Sequence, residues 1–228
     1  MNLANWLHHT GLVRPDAPAL RRGEVLHATY STFAQRSCAV GDCLRSRFGI
    51  RRGDRVALFA KNSAEYLEVL YGALWIGAII VPINHKLHPR EAAWIIGNAE
   101  ARLVFTDDGR IFTSLSDVVA DCREIGLFTE ELVGGLGASS RTTYSAPVAV
   151  EDDEVAWLFY TSGTTGRPKG VMTTHKNLRM MATSYALDVD TVSCRDHVLY
   201  AAPMSQELEI SRRNLKKQLL ADWHMRTS

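Results

Sequence analysis

The chain has 228 residues, 46% of them hydrophobic, with Lys plus Arg at 26 against Asp plus Glu at 25 and a formal charge of +1. That apolar fraction supports a folded core and excludes a disordered chain. The balanced charge offers no basic field that would make nucleic acid the main partner.

Cys38, Cys43, Cys122 and Cys194 show neither paired metal-ligand spacing nor the density of a disulfide framework, so they read as reduced thiols of a cytoplasmic protein. The first residues lack a basic segment followed by an apolar one, and no secretory signal is expected. The longest apolar stretch, Gly72 to Ile83, falls well short of the roughly 20 residues a membrane-spanning helix needs and belongs in a core.

In chain order, an amphipathic segment around Leu3, Trp6 and Leu7 turns through Pro15 and Pro18. His8 and His9 are adjacent and would point about 100° apart on a helix, so they read as surface residues and not as a shared metal site. Ala19-Leu20 and Val25-Leu26 flank a polar turn and predict a hairpin. A helix is expected from about Thr32, where Thr32-Phe33-Ala34-Gln35 fits a capping box, with Phe33, Val40 and Leu44 inward.

After a break at Gly49 to Gly53, Asp54 to Ala60 predicts a strand. The tripeptide Arg52-Gly53-Asp54 is read as a turn. Asn62 or Ser63 then caps a helix with Leu67, Leu70, Tyr71 and Leu74 at i, i+3, i+4 and i+7, ended by Gly77. Ala78 to Ile83 is a buried strand with Pro82 near its exit. A helix from Glu91 to Ala99, with Ala92, Ile95, Ile96 and Ala99 on one side, leads to a strand at Ala101 to Thr106. Strand and helix thus alternate three times, which predicts an α/β fold with a mainly parallel sheet flanked by helices.

Asp107-Asp108-Gly109 reads as a turn, residues 111–122 as a helix, and Gly134 to Ser140 as a surface linker, since no apolar strand leads into it. The acidic run Glu151-Asp152-Asp153-Glu154 reads as a solvated turn.

The apolar run Val155 to Tyr160 then enters Thr161-Ser162-Gly163-Thr164-Thr165-Gly166-Arg167-Pro168-Lys169-Gly170. This composition suits a phosphate. Gly163, Gly166 and Gly170 permit φ > 0 and close approach of the backbone, and inward N–H groups form an anion-binding concavity. Thr161, Ser162, Thr164 and Thr165 add hydroxyl donors, and Lys169 adds a mobile positive charge. The spacing is not that of the common P-loop, because Arg167 and Pro168 separate Gly166 from Lys169 and Pro168 disfavours a helix at Arg167. The plainer alternative is a ligand-free polar surface loop. Gly170 to Thr173 reads as a short strand, and Thr174 as the N-cap of a helix with Leu178, Met181, Ala182 and Tyr185 on one face.

The stretch Y-T-S-G-T-T-G-R-P-K-G-V-M-T-T-H-K-N-L resembles the phosphate-binding signature of AMP-forming adenylating enzymes, the superfamily of acyl- and aryl-CoA synthetases, peptide adenylation domains and luciferases. Residues from about 29 to 106, with R-R-G-D-R-V-A-L, G-A-L-W-I-G-A-I-I-V-P-I-N and A-R-L-V-F-T-D, are similar to the N-terminal part of fatty-acid and related acid-CoA ligases. The resemblance implies two steps. A carboxylate attacks the α-phosphate of ATP to give an acyl-AMP and pyrophosphate, and the thiol of CoA then displaces AMP. It implies that Thr161, Ser162, Gly163, Thr164, Thr165, Gly166 and Lys169 hold the β- and γ-phosphates, with Mg²⁺ carried through those phosphates, CoA as co-substrate and a fatty acid as the acid. Preorganised donors in a partly desolvated site count for far more than donors in water.

The resemblance covers about four-fifths of the chain and stops near Met204, and residues 1–204 are read as a partial AMP-binding domain with its phosphate loop at 160–170. Residues 205–228 are expected to form a divergent, helical tail. The family's Tyr-Gly-x-Thr-Glu and Thr-Gly-Asp segments and its mobile C-terminal domain have no counterpart, so the chain reads as the incomplete N-terminal domain of an adenylate-forming enzyme. No catalytic residue and no protein metal ligand is assigned. The alternatives are a non-catalytic remnant that binds ATP, pyrophosphate or a partner, and an unrelated nucleotide hydrolase, which the spacing around Lys169 opposes. Self-association through exposed apolar surface is also expected.

Overall fold

The computed structural model describes residues 1–107, 111, 123–126, 144–161 and 168–188. Helix α1 (Asn5–Val13) precedes a two-stranded antiparallel hairpin, β1 (Pro18–Arg22) and β2 (Val25–Thr29), and helix α2 (Tyr30–Arg47). Then come β3 (Arg55–Phe59), α3 (Ala64–Trp75), β4 (Ile79–Ile83), α4 (Pro89–Asn98) and β5 (Leu103–Thr106). The described part ends with β6 (Arg123–Gly126), β7 (Val155–Thr161), β8 (Lys169–Thr174) and α5 (His175–Asp188).

The second sheet has six strands in the order β6-β5-β3-β4-β7-β8. Its pairings are parallel except for β7 with β8, which is antiparallel. Strands β3, β4 and β5 are nearly continuous apolar runs because both of their faces are buried. Val56, Leu58, Ile80, Leu103 and Phe105 pack on one face in the core that includes α2 and α3, and Ala57, Phe59, Val81, Ile83 and Val104 pack on the other with α4. Pro82 lies in register with Leu58 of β3, past the Ile80↔Trp157 pair that joins β4 to β7, where a residue without a donor is tolerated.

The helix starts follow from short polar side chains. Thr29, not Thr32, caps α2: its backbone is extended and its Oγ1 accepts from Thr32 N at 3.3 Å, so the helix begins two residues earlier than the expected box. Ser63 caps α3 by accepting from Tyr66 N at 3.0 Å. His88 caps α4, with Glu91 Oε2 accepting in return from His88 N at 3.0 Å, and Pro89 supplies the first helical residue. Helix α3 stops where Gly77 takes φ +76°. Helices α2 and α3 cross at a glycine notch: a Cβ on Gly72 would sit 2.6 Å from Val40 Cγ1 and 2.8 Å from Ser37 O.

Three expectations change. The acidic run is an anchor, not merely a solvated turn, since Asp152 pairs with Arg179 at 2.8 Å and with the Met1 amine, and Glu154 with Arg52. His8 is half-buried, its ring edge-on to Trp75 at 5.8 Å and to Tyr144 at 5.6 Å, and burial lowers its pKa; only His9 is exposed. Strand β6 had no sequence signal. The expected helix at 111–122 (apart from buried Ile111), the linker at 134–140 and the tail at 205–228 lie outside the described residues. Among the described residues no helix is long and apolar enough to cross a membrane.

Candidate phosphate-binding site

Strand β7 runs parallel to β4, so its C-terminal end lies at the edge of the sheet where β3, β4 and β5 also end, the edge at which open α/β sheets bind ligands. The chain leaves β7 there and returns as β8. The hairpin register pairs Leu158↔Met172, Phe159↔Val171, Tyr160↔Gly170 and Thr161↔Lys169. Thr161 and Lys169 therefore face one another across the two strands at the mouth of the loop, and Lys169 is exposed. Of the other residues expected to hold phosphate, Ser162, Gly163, Thr164, Thr165 and Gly166 lie outside the described residues.

The pleat divides the hairpin's side chains. Trp157 and Phe159 enter the core on the α2–α3 side, whereas Leu158 and Tyr160 pack on the α4 side. Tyr160 Oη donates to Asn98 Oδ1 of α4 at 2.7 Å, and its ring lies edge-on to Trp94 with centroids 6.4 Å apart. Burial pushes its phenol pKa up, so the hydroxyl stays a donor throughout the neutral range. Gly170, read as one of the glycines that permit a positive φ, is not among the glycines with positive φ. The reason for glycine is space, because a Cβ there would lie 3.0 Å from Tyr160 Cζ.

Beyond β8 the chain is fixed again. Thr174 Oγ1 accepts from Asn177 N at 3.1 Å, and Asn177 Oδ1 accepts from Thr174 N at 3.1 Å, a reciprocal cap for α5. His175 is buried; its Nδ1 accepts from Leu3 N at 3.1 Å, and its backbone N–H donates to Glu154 O at 3.0 Å. Burial, with the nearby Met1 amine, lowers its imidazole pKa to about 4. Lys176 N donates to Asp152 O at 2.9 Å, so the acidic turn that leads into β7 also holds the helix that follows β8.

A hydroxyl and an ammonium held opposite each other at a loop mouth suit an anion with a phosphate's charge. Among the described residues there is no group of three or more His, Cys, Asp or Glu side chains placed to hold a metal ion.

The family profile for AMP-binding enzymes matches residues 7–212. The chain belongs to that family. Its curated relatives are acid-CoA ligases. The long-chain-fatty-acid–CoA ligase FadD13 of Mycobacterium tuberculosis (strain H37Rv) is 35% identical over 179 residues, 76% of this chain and 35% of the relative. Crotonobetaine/carnitine–CoA ligase of Salmonella paratyphi B is 36% identical over 168 residues, 68% of this chain and 32% of the relative. Feruloyl-CoA synthase of Amycolatopsis is 32% identical over 202 residues, 89% of this chain and 39% of the relative. The chain thus spans about a third of the length of the curated relatives it matches.

The fold agrees. An inhibitor-bound crystal structure of the N-terminal domain of FACL13 from Mycobacterium tuberculosis superposes with a TM-score of 0.82 at 28% identity, covering 98% of this chain and 55% of that one. In this member of the AMP-binding family the residues around the hairpin that sequence reasoning passed over are Asn98 and His175. The visible signal for Asn98 was indirect: Tyr160 and Gly170 sit one step inside the loop's closing pair, an aromatic facing a glycine.

Proposed function

We propose that this chain carries the triphosphate-gripping part of an AMP-forming acid-CoA ligase. The observation that carries this reading is the Thr161↔Lys169 pair, which closes a glycine- and hydroxyl-rich loop at the ligand-binding edge of the sheet. In the proposed reaction a carboxylate oxygen attacks the α-phosphorus of ATP, the bond from that phosphorus to the pyrophosphate oxygen breaks, and the thiol of CoA later takes the acyl group from AMP. Thr161, Ser162, Thr164 and Thr165 donate hydroxyl hydrogen bonds, and Gly163 and Gly166 backbone N–H groups, to the β- and γ-phosphates. Lys169 follows the pyrophosphate as its charge grows. Mg²⁺ would be held through those phosphates and would share in neutralising them.

A fatty acid is the acid we favour, on the likeness to FadD13. We take residues 1–204 as the partial AMP-binding domain and 205–228 as a divergent tail, and place the protein in the cytoplasm, where the thiols of Cys38 and Cys43, which form no disulfide, stay reduced. Exposed Val171 and Met172 on β8 and Met180 and Leu187 on α5 make self-association the expected state of the isolated chain.

The test is ATP–pyrophosphate exchange with and without added fatty or aromatic acids. Exchange that requires an acid supports the ligase. Triphosphate binding without exchange favours the non-catalytic reading, and phosphate release without any acid favours the hydrolase.

A further inference from the structure

Tyr160 is placed to do more than fill space. It is the residue before Thr161, its cross-strand partner Gly170 is the residue after Lys169, and both therefore flank the pair that closes the loop. Gly170 leaves the backbone of β8 bare, and the Tyr160 ring covers it: an added Cβ would lie 3.0 Å from Cζ and 3.3 Å from Cε1. An aromatic ring laid across a facing glycine stiffens a strand pair that is otherwise weak at that residue. The same ring is fixed from the α4 side, by Asn98 Oδ1 accepting from its hydroxyl at 2.7 Å and by the edge-on contact with Trp94. Trp94 and Asn98 lie four apart on α4, on one face of the helix. Helix α4 starts from a full capping box at His88, so the far side of this contact is a fixed element.

We propose that Asn98 and Tyr160 form a clasp that positions the phosphate-binding hairpin, Asn98 of α4 setting the Tyr160 ring and the ring setting the spacing of Thr161 and Lys169. This rests on the reading of the loop as a triphosphate grip. The two residues are positioning residues and touch no substrate. Tyr160→Phe keeps the ring and removes the bond to Asn98. Asn98→Leu removes the acceptor, and Asn98→Asp keeps one.

The experiment is calorimetric titration of the full chain with inorganic tripolyphosphate, alongside urea unfolding. Tyr160→Phe and Asn98→Leu are each expected to weaken tripolyphosphate binding by roughly two- to tenfold, the range a single lost hydrogen bond gives. Asn98→Asp is expected to bind as the unsubstituted chain does, and the Tyr160→Phe/Asn98→Leu double variant no worse than either single one, since both remove the same bond. A merely structural contact would move the urea midpoint and leave the affinity alone. If the unsubstituted chain binds tripolyphosphate and both single variants match it, the clasp is overturned and the grip stands. If the unsubstituted chain does not bind, the grip falls and the clasp with it.

Discussion

Lys169 is the residue on which the proposed chemistry turns. Lys169 stands in register with Thr161 at the loop end of β8, and in the proposed reading its charge meets the far end of a triphosphate. Lys169→Ala should weaken binding of ATP more than binding of AMP, and parallel titrations of the two nucleotides check it; equal losses would contradict the phosphate-end assignment. His175 makes a second, independent prediction. Its folded pKa of about 4 lies below the ordinary value of 6.5, because burial, the Met1 amine and Arg179 outweigh Glu154 and Asp152. The unfolded chain binds that proton first, so this residue's contribution is full above pH 6.5 and declines as pH falls towards 4. The loss is about 2 kcal/mol by pH 5. Urea midpoints between pH 7.5 and 5 should show the decline, and His175→Gln should flatten it. Lys169 and Thr161 were legible in the sequence because they belong to one short, unusual run. Asn98 and His175 were not, because their partners stand 62 and 172 positions away and only the folded sheet brings them together.

Helix α3 shows how much a local pattern settles. Its apolar spacing could be read directly and its cap was expected at Asn62 or Ser63, of which the structure shows Ser63; its buried face includes Leu67, Leu70, Tyr71 and Leu74 as expected. Ser63→Ala should cost about 1 kcal/mol. The spacing did not disclose that Gly72 packs against Val40 and the Ser37 carbonyl of α2. Gly72→Ala should therefore destabilise the fold by about 1–3 kcal/mol although alanine favours helices, because the new methyl meets backbone that must move. Thermal unfolding separates the outcomes: a raised midpoint would mean the two helices are not in such close contact. Strands β3, β4 and β5 were legible from apolar runs bounded by turn residues. Strand β6 was not, since Arg123-Glu124-Ile125-Gly126 has no apolar run and is a strand only through its pairing with β5. The reversed direction of β8 follows from its short connection to β7, since parallel neighbours need a crossover of about a dozen residues or more.

The described parts of the molecule are tied together by contacts distant in sequence. Asn2 Nδ2 donates to Leu74 O at 2.7 Å and to Val148 O at 3.0 Å, Trp75 Nε1 donates to Ser145 O at 3.0 Å, and the acidic turn holds both Arg52 and Arg179. Alternating strands and helices foretold the parallel sheet flanked by helices; they could not foretell that the first residues would be tied to the helix that follows β8. The apolar side chains left exposed on β8 and α5 predict concentration-dependent self-association, measurable by light scattering across a dilution series. A monodisperse monomer at every concentration would refute it.

The hydrogen bond from Leu3 N to His175 also carries a consequence for synthesis. Its two ends are 172 residues apart, so at about 5–20 residues per second the segment around Leu3 waits roughly 10–30 seconds before its imidazole acceptor is made. During that interval Leu3, Trp6 and Leu7 have no finished core to enter. That contact is therefore expected to close only after α5 has been made, and late protease protection of the segment around Leu3 in ribosome-bound chains of increasing length would show it.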